Sequence, residues 1–208
     1  MASATDDFTR ADSATLGSNW TQAKGHGGTP GVLSNQAYDP NGDGTRTGAY
    51  YSATSFGNDQ FSQATVINVA TFYQAVTVRG ITSGTLRNYY AGGHANNDTG
   101  HKKYTIWKEV ASVISILANH ASEVVTANDV LYLEVSGTTL TLKANGVTKV
   151  TTTDSDLSSG QPGLRDDHNV GSTAMFDDWS GGDLSAGITY PQLERDRRGI
   201  ARGVLTGA

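Results

Sequence analysis

The sequence predicts an all-β fold, a sandwich or barrel of antiparallel strands, and three observations carry that expectation. Short runs alternate apolar and polar residues with a period of two, the pattern of strands that bury one face. Gly, Asn, Asp and Ser punctuate those runs at roughly 8 to 12 residue intervals, the spacing of strand-turn-strand units. Helical periodicity is thin: a short turn around Asp154 and Asp156 and a brief polar helix over 191–202 are the candidates, and neither would anchor a core.

The clearest strands lie in 130–150. Leu131, Leu133 and Val135 point one way, Tyr132 and Glu134 the other; after a Ser136-Gly137 turn, Leu140 and Leu142 alternate with Thr139, Thr141 and Lys143. Asn145-Gly146 then supplies the two positive-φ positions of a type I′ hairpin, so a third strand over 147–152 completes a meander. Further strands are expected over 31–38, 46–52, 60–69, 73–78, 86–91, 102–108, 112–117 and 174–179, and no longer repeat of solenoid type is present. After 183 the texture changes. The stretch 184–208 loses the alternation and sets Arg195, Arg197, Arg198 and Arg202 against Glu194 and Asp196 in a chain of net charge -5. The organisation expected is a domain over 1–183 and an arm over 184–208.

Composition excludes several classes of function. A chain of 208 residues buries on the order of 70% of its unfolded surface and needs neither disulfide nor structural metal. The chain has no cysteine, which removes disulfide scaffolds, zinc fingers, iron-sulfur clusters and cysteine nucleophiles. Its acidic balance speaks against nucleic acid as a partner, since phosphate neutralisation requires a basic face. No apolar run reaches the roughly 18 residues of a membrane span, and none of the first residues resembles a secretory signal. The sequons at Asn19 and Asn97 are accordingly read as chance.

Several segments, in order, resemble the concanavalin A-like (laminin G-like) jelly-roll superfamily found in bacterial and phage proteins. They are Asp6-Asp7-Phe8-Thr9-Arg10 with Leu16-Gly17-Ser18-Asn19-Trp20, the hairpins Leu133-Glu134-Val135-Ser136-Gly137 and Leu140-Thr141-Leu142 with Asn145-Gly146, the turn Gly160-Gln161-Pro162-Gly163-Leu164, and the closing Phe176-Asp177-Asp178-Trp179. The resemblance covers about 5–183. It implies an all-β, two-sheet antiparallel jelly roll with its first and last strands adjacent in one sheet, and Phe8, Trp20, Phe176 and Trp179 in or near the core. Fold alone does not settle function here, because the superfamily includes lectins, glycosidases, lyases and plain structural domains.

Glycoside hydrolysis requires two carboxylates about 5 to 9 Å apart, and the superfamily's hydrolases carry an E-x-D-x-x-E strand. The four Glu here, at 109, 123, 134 and 194, make no such pattern, and Asp177 and Asp178 are sequence neighbours facing opposite ways, so no catalytic residues and no enzymatic activity are expected. Asp39, Asn41 and Asp43 match the first half of an oxygen-rich calcium loop, but Tyr50 stands where its bidentate Glu belongs; the segment reads either as a polar turn or as a structural Ca2+ site. His94 and His101 flank a Gly/Asn-rich loop that suits a binding rim better than a metal site.

A sugar stacks its apolar face on an aromatic ring while Asn and Asp read its hydroxyls. Thr105, Trp107 and Glu109 share one strand face, a polar setting for an indole, and Tyr89-Tyr90 places one ring on each face. Trp107, Tyr89, Tyr90, Asn88, His94 and Asn96 are thus the candidate carbohydrate-binding residues. In the arm, Ile188, Tyr190, Leu193, Ile200, Val204 and Leu205 intersperse the arginines, so Tyr190, Leu193, Arg195, Arg197, Arg198, Ile200 and Arg202 are expected to dock on neighbouring subunits. Together with the resemblance, these features give the leading expectation: a non-enzymatic virion protein, a bacteriophage capsid decoration or tail component made in the host cytoplasm. The alternative is an extracellular carbohydrate-binding module for a surface, plant or algal polysaccharide.

Overall fold

Period-two alternation sorts the side chains onto two faces, and in a computed structural model two antiparallel sheets turn their apolar faces toward each other. Residues 1–23, 25–40, 46–70, 72–81, 84–95, 102–167 and 173–184 are described. One sheet runs β13 (Val147–Thr153), β12 (Thr139–Ala144), β11 (Val130–Ser136), β6 (Gln60–Val66), β15 (Thr173–Asp183), β4 (Gln36–Asp39) and β3 (Gly31–Leu33). The first part of β15 pairs with β4, and its second half pairs with β1 (Ser3–Asp6). The second sheet runs β10 (Val113–Val124), β9 (Lys103–Val110), β8 (Tyr89–His94), β7 (Tyr73–Gly80), β14 (Gln161–Asp167), β5 (Thr47–Tyr51) and β2 (Trp20–Gln22). This is the two-sheet jelly roll the sequence implied, with the first and last described strands paired. Among the described residues there is no helix, so the turn at Asp154 and Asp156 is not helical. The arm residues 185–208, and with them Tyr190, Leu193, Arg195, Arg197, Arg198, Ile200 and Arg202, lie outside the described residues.

The core between the sheets is aliphatic at one end and aromatic at the other. Leu131, Leu133, Leu140 and Leu142 from the meander meet Val76, Val78 and Ile106 of the second sheet, all fully buried. At the other end the Trp20 indole lies 4.6 Å from that of Trp179 and 5.4 Å from the Tyr51 ring, both in edge-on contact, while Tyr51 stacks on Trp179 at 5.2 Å. Burying each such ring stabilises by on the order of 2 to 3 kcal/mol. The opening motif now has a physical reason. Asp6 accepts hydrogen bonds from both Nη atoms of Arg10 (2.7 and 3.1 Å) and from Trp20 Nε1 (2.7 Å), which ties the first strand to the aromatic end of the core.

Turns set the register of neighbouring strands. Asn145 (φ 52°) and Gly146 (φ 77°) form the expected type I′ turn. The single strand expected over 31–38 is instead the hairpin β3–β4, because Ser34 (φ 52°) and Asn35 (φ 62°) occupy the same left-handed pair of positions. The β9–β10 turn places Ala111 (φ 50°) and Ser112 (φ 67°) there without Gly or Asn. Asn88 Oδ1 accepts the Ala111 N–H at 2.9 Å and Ser112 Oγ accepts the Arg87 N–H at 3.1 Å, which holds the turn in this conformation. A left-handed alanine costs about 1 kcal/mol that asparagine largely avoids. Ala111→Asn is therefore expected to raise stability by about 1 kcal/mol in urea denaturation; an unchanged or lower midpoint would contradict this account of the turn.

Candidate functional site

The pairing register builds rows of residues across the outer face of the second sheet, the face turned away from the sandwich core. Gly48, Arg165, Ala75, Gly93 and Thr105 stand side by side on β5, β14, β7, β8 and β9. One row further on are Tyr50, Gly163, Thr77, Ala91 and Trp107; beyond them Tyr89 pairs with Glu109, and on the opposite side Asp167 pairs with Tyr73. Arg165 thus has Gly48 and Ala75 as direct neighbours, and the larger groups surround it. Glycine at 48 also admits the His26 ring, since a Cβ there would lie 2.9 Å from it.

Arg165 is the centre of the cluster. Its side chain is 1% exposed, and its guanidinium carbon lies 4.3 Å from the Tyr73 ring centroid, 5.8 Å from Trp107 and 5.9 Å from Tyr89. Burial opposes its charge, but the Glu109 and Asp167 carboxylates help to hold its pKa above the ordinary value, so the cation persists. None of its three guanidinium nitrogens makes a hydrogen bond, and Oδ2 of Asp167 lies 4.0 Å from Nη2. The Trp107 indole N–H and the Tyr50 hydroxyl, both buried, also lack hydrogen bonds. So do Oδ1 of Asp167, Thr77 Oγ1 and both ring nitrogens of His26.

The other charges are matched. Glu109, fully buried, accepts from the Tyr89 hydroxyl and from Arg87 Nε, and Arg46 Nη1 approaches it at 3.4 Å. Arg46 Nε also lies 3.7 Å from Asp167. Burial, chiefly, raises the Tyr89 and Tyr50 phenols, which stay neutral donors. Burial, then Arg165 and Arg87, pushes His26 well below its ordinary value, so its imidazole is neutral at pH 7. Arg46 and Arg87, at 34% and 15% exposure, are the parts of the cluster that reach solvent.

The comparisons agree with this architecture. No family model matches the sequence, and no curated protein matches it. Among solved structures, the carbohydrate binding module CBM66 from Bacillus subtilis superposes with a TM-score of 0.53 at 20% identity, covering 79% of this chain and 92% of that one. The exoplasmic/lumenal domain of VIP36, in its Ca2+/Man2-bound form, gives 0.56 at 10% identity over 90% and 89% of the two chains. The apo Crh5 transglycosylase gives 0.54 at 9% identity over 89% and 85%. At these identities the likeness is one of fold. The chain has the concanavalin A-like lectin fold that its motifs implied.

Of the expected carbohydrate residues, Trp107 and Tyr89 lie on this outer face, but both are fully buried and not exposed stacking platforms. Tyr90 does not belong to the site: strand parity turns it into the core, where its hydroxyl donates to Asp154 (2.6 Å) and accepts the Leu157 N–H, and its phenol is pushed up to about 12, chiefly by burial. Asn88 braces the β9–β10 turn. His94, fully buried, pairs with Gln74 and Tyr104 on the parity of Tyr90, so it is no solvent-facing rim. Asn96 and His101 lie outside the described residues.

Of the calcium candidates, Asn41 and Asp43 also lie outside them, and Asp39 is a fully buried residue ending β4. It sits close enough to Asp166 to raise that carboxyl, after burial, well above its usual value. Among the described residues no group of three metal-ligating side chains converges. Sequence reasoning passed over Arg165, Arg87, Arg46 and Tyr50. The sequence reading places only a turn at Gly160-Gln161-Pro162-Gly163-Leu164, whereas β14 is a central strand held between β5 and β7.

Proposed function

We propose that this chain is a non-catalytic carbohydrate-binding module that holds a polysaccharide on the outer face of its second sheet. The observation that carries the reading is the set of buried donors without acceptors: the Arg165 guanidinium, the Trp107 indole N–H and the Tyr50 hydroxyl. Buried polar groups in folded proteins are nearly always hydrogen-bonded, so such a cluster calls for a ligand rich in acceptor oxygens. A sugar supplies ring, glycosidic and hydroxyl oxygens as acceptors for these donors. The described nature of CBM66 as a carbohydrate binding module, and of the VIP36 domain as mannose-bound, supports the same reading. Glu109 is engaged by Tyr89, Arg87 and Arg46, and Asp167 lies beside Arg46 and Arg165; both suit counter-ions better than the free acid and base of a hydrolase. The virion role draws no support from these neighbours.

The test is affinity electrophoresis and calorimetry against a broad polysaccharide panel. Trp107→Phe and Tyr50→Phe each remove one donor while keeping a ring in place. Each is expected to weaken binding by about five- to thirtyfold, the equivalent of about 1 to 2 kcal/mol per lost hydrogen bond to a buried site. If nothing on the panel binds, the proposal fails; if binding is found and both variants keep full affinity, the site is elsewhere.

A further inference from the structure

We infer that the saccharide this site accepts is acidic, and that a ligand carboxylate of the uronic acid type seats on the Arg165 guanidinium. The inference rests on the carbohydrate-binding reading and narrows its ligand class. Two independent observations lead to it. The first is geometric. Arg165 lies over the Tyr73 ring at 4.3 Å and offers Nε, Nη1 and Nη2 without a single hydrogen bond. A planar guanidinium with free edge donors matches a carboxylate bidentately, and neutral hydroxyls use that fork less well.

The second is charge. Arg46, Arg87 and Arg165 stand with the Glu109 and Asp167 carboxylates, and the buried carboxyls of Asp166 and Asp39 also lie within electrostatic reach of β14. Glu109 is engaged by Arg87, Arg46 and Tyr89, while Arg165 stands 4.0 Å from Asp167. Arg165 itself, 1% exposed and hydrogen-bonded to neither carboxylate, is a buried cation whose cost falls when an anion enters beside it. One ligand carboxylate would balance it and supply acceptors to the unpaired nitrogens. The chain as a whole is net -5, so it repels a polyanion in general. Affinity for an acidic polysaccharide would then report a local site and not bulk charge.

The experiment measures binding of the intact chain to polygalacturonate, alginate and glucuronoxylan, each beside its carboxyl-reduced neutral form, with dextran and dextran sulfate as further probes. The expected result is binding to at least one uronate polymer that falls at least about tenfold on carboxyl reduction, in line with the strength of a charge-assisted hydrogen bond. This arm changes only the ligand and so does not depend on a variant folding. Arg165→Lys, checked for an intact fold by its thermal transition, keeps the charge but not the fork and is expected to lose about tenfold on the same polymer.

Equal affinity for the native and carboxyl-reduced polymers overturns the inference and leaves carbohydrate binding standing, as does binding to neutral polysaccharides alone. Binding to dextran sulfate without any uronate polymer overturns the carboxylate assignment. Absence of binding to every polysaccharide, neutral or acidic, defeats the parent reading itself.

Discussion

Glu109→Gln is expected to destabilise the domain by about 3 to 5 kcal/mol, the usual cost of removing one partner from a buried ion pair. Glu109 is fully buried and is the shared acceptor for Tyr89, Arg87 and Arg46. Glutamine retains the shape but carries no charge, so Arg87 loses its carboxylate while remaining largely withdrawn from water. Domains of this kind are stable by only about 5 to 15 kcal/mol, so the change consumes a large share of the total. Equilibrium denaturation in urea measures it; a loss below about 1 kcal/mol would mean that the arginines reach solvent readily and that Glu109 is not their anchor.

Arg79→Met is expected to cost about 3 to 5 kcal/mol by a different route. Arg79, 3% exposed, sends its three nitrogens to the backbone carbonyls of three separate loops: Asn58 (2.9 Å), Leu157 (2.8 Å) and Gly137 (2.7 Å). Its own N–H is taken by Gln60 Oε1 at 3.1 Å, and Gln60 Nε2 in turn donates to the carbonyls of Gly57 and Gly160. Methionine fills much of the space and leaves three carbonyls without donors, each worth about 1 to 3 kcal/mol when buried, with less than full additivity. Faster amide exchange localised to 57–59, 137–138 and 157–160 would identify the mechanism; a loss of stability with unchanged exchange there would refute it.

The parts of this molecule legible in the sequence are those decided locally. Alternation over 130–150, the Asn145-Gly146 turn and the shared face of Trp107 and Glu109 follow from a period of two and from glycine's freedom at positive φ. The Asp6, Arg10 and Trp20 motif was visible as a pattern, although only the packed structure explains it as a carboxylate joining a guanidinium to an indole. The Ala111-Ser112 turn escaped because its strain is relieved by Asn88 and Arg87, more than twenty residues earlier. The site escaped for a related reason. Arg165, Tyr50, Arg87 and Glu109 come from four strands or strand approaches whose adjacency is set by sheet order, and no local pattern announces a buried arginine.

The pairing of β1 with β15 has a further consequence for how such a unit can be combined with others. The N–H of Ala2 donates to Asp183 Oδ2 at 2.7 Å, and the Asp183 N–H returns to the Ala2 carbonyl at 2.9 Å, so the entry and exit of the folded unit lie one strand spacing apart. A unit with that geometry can be spliced into a surface loop of a host protein without prying the host's chain open, and its own ends can be joined by a short linker while the order of its strands is cut elsewhere.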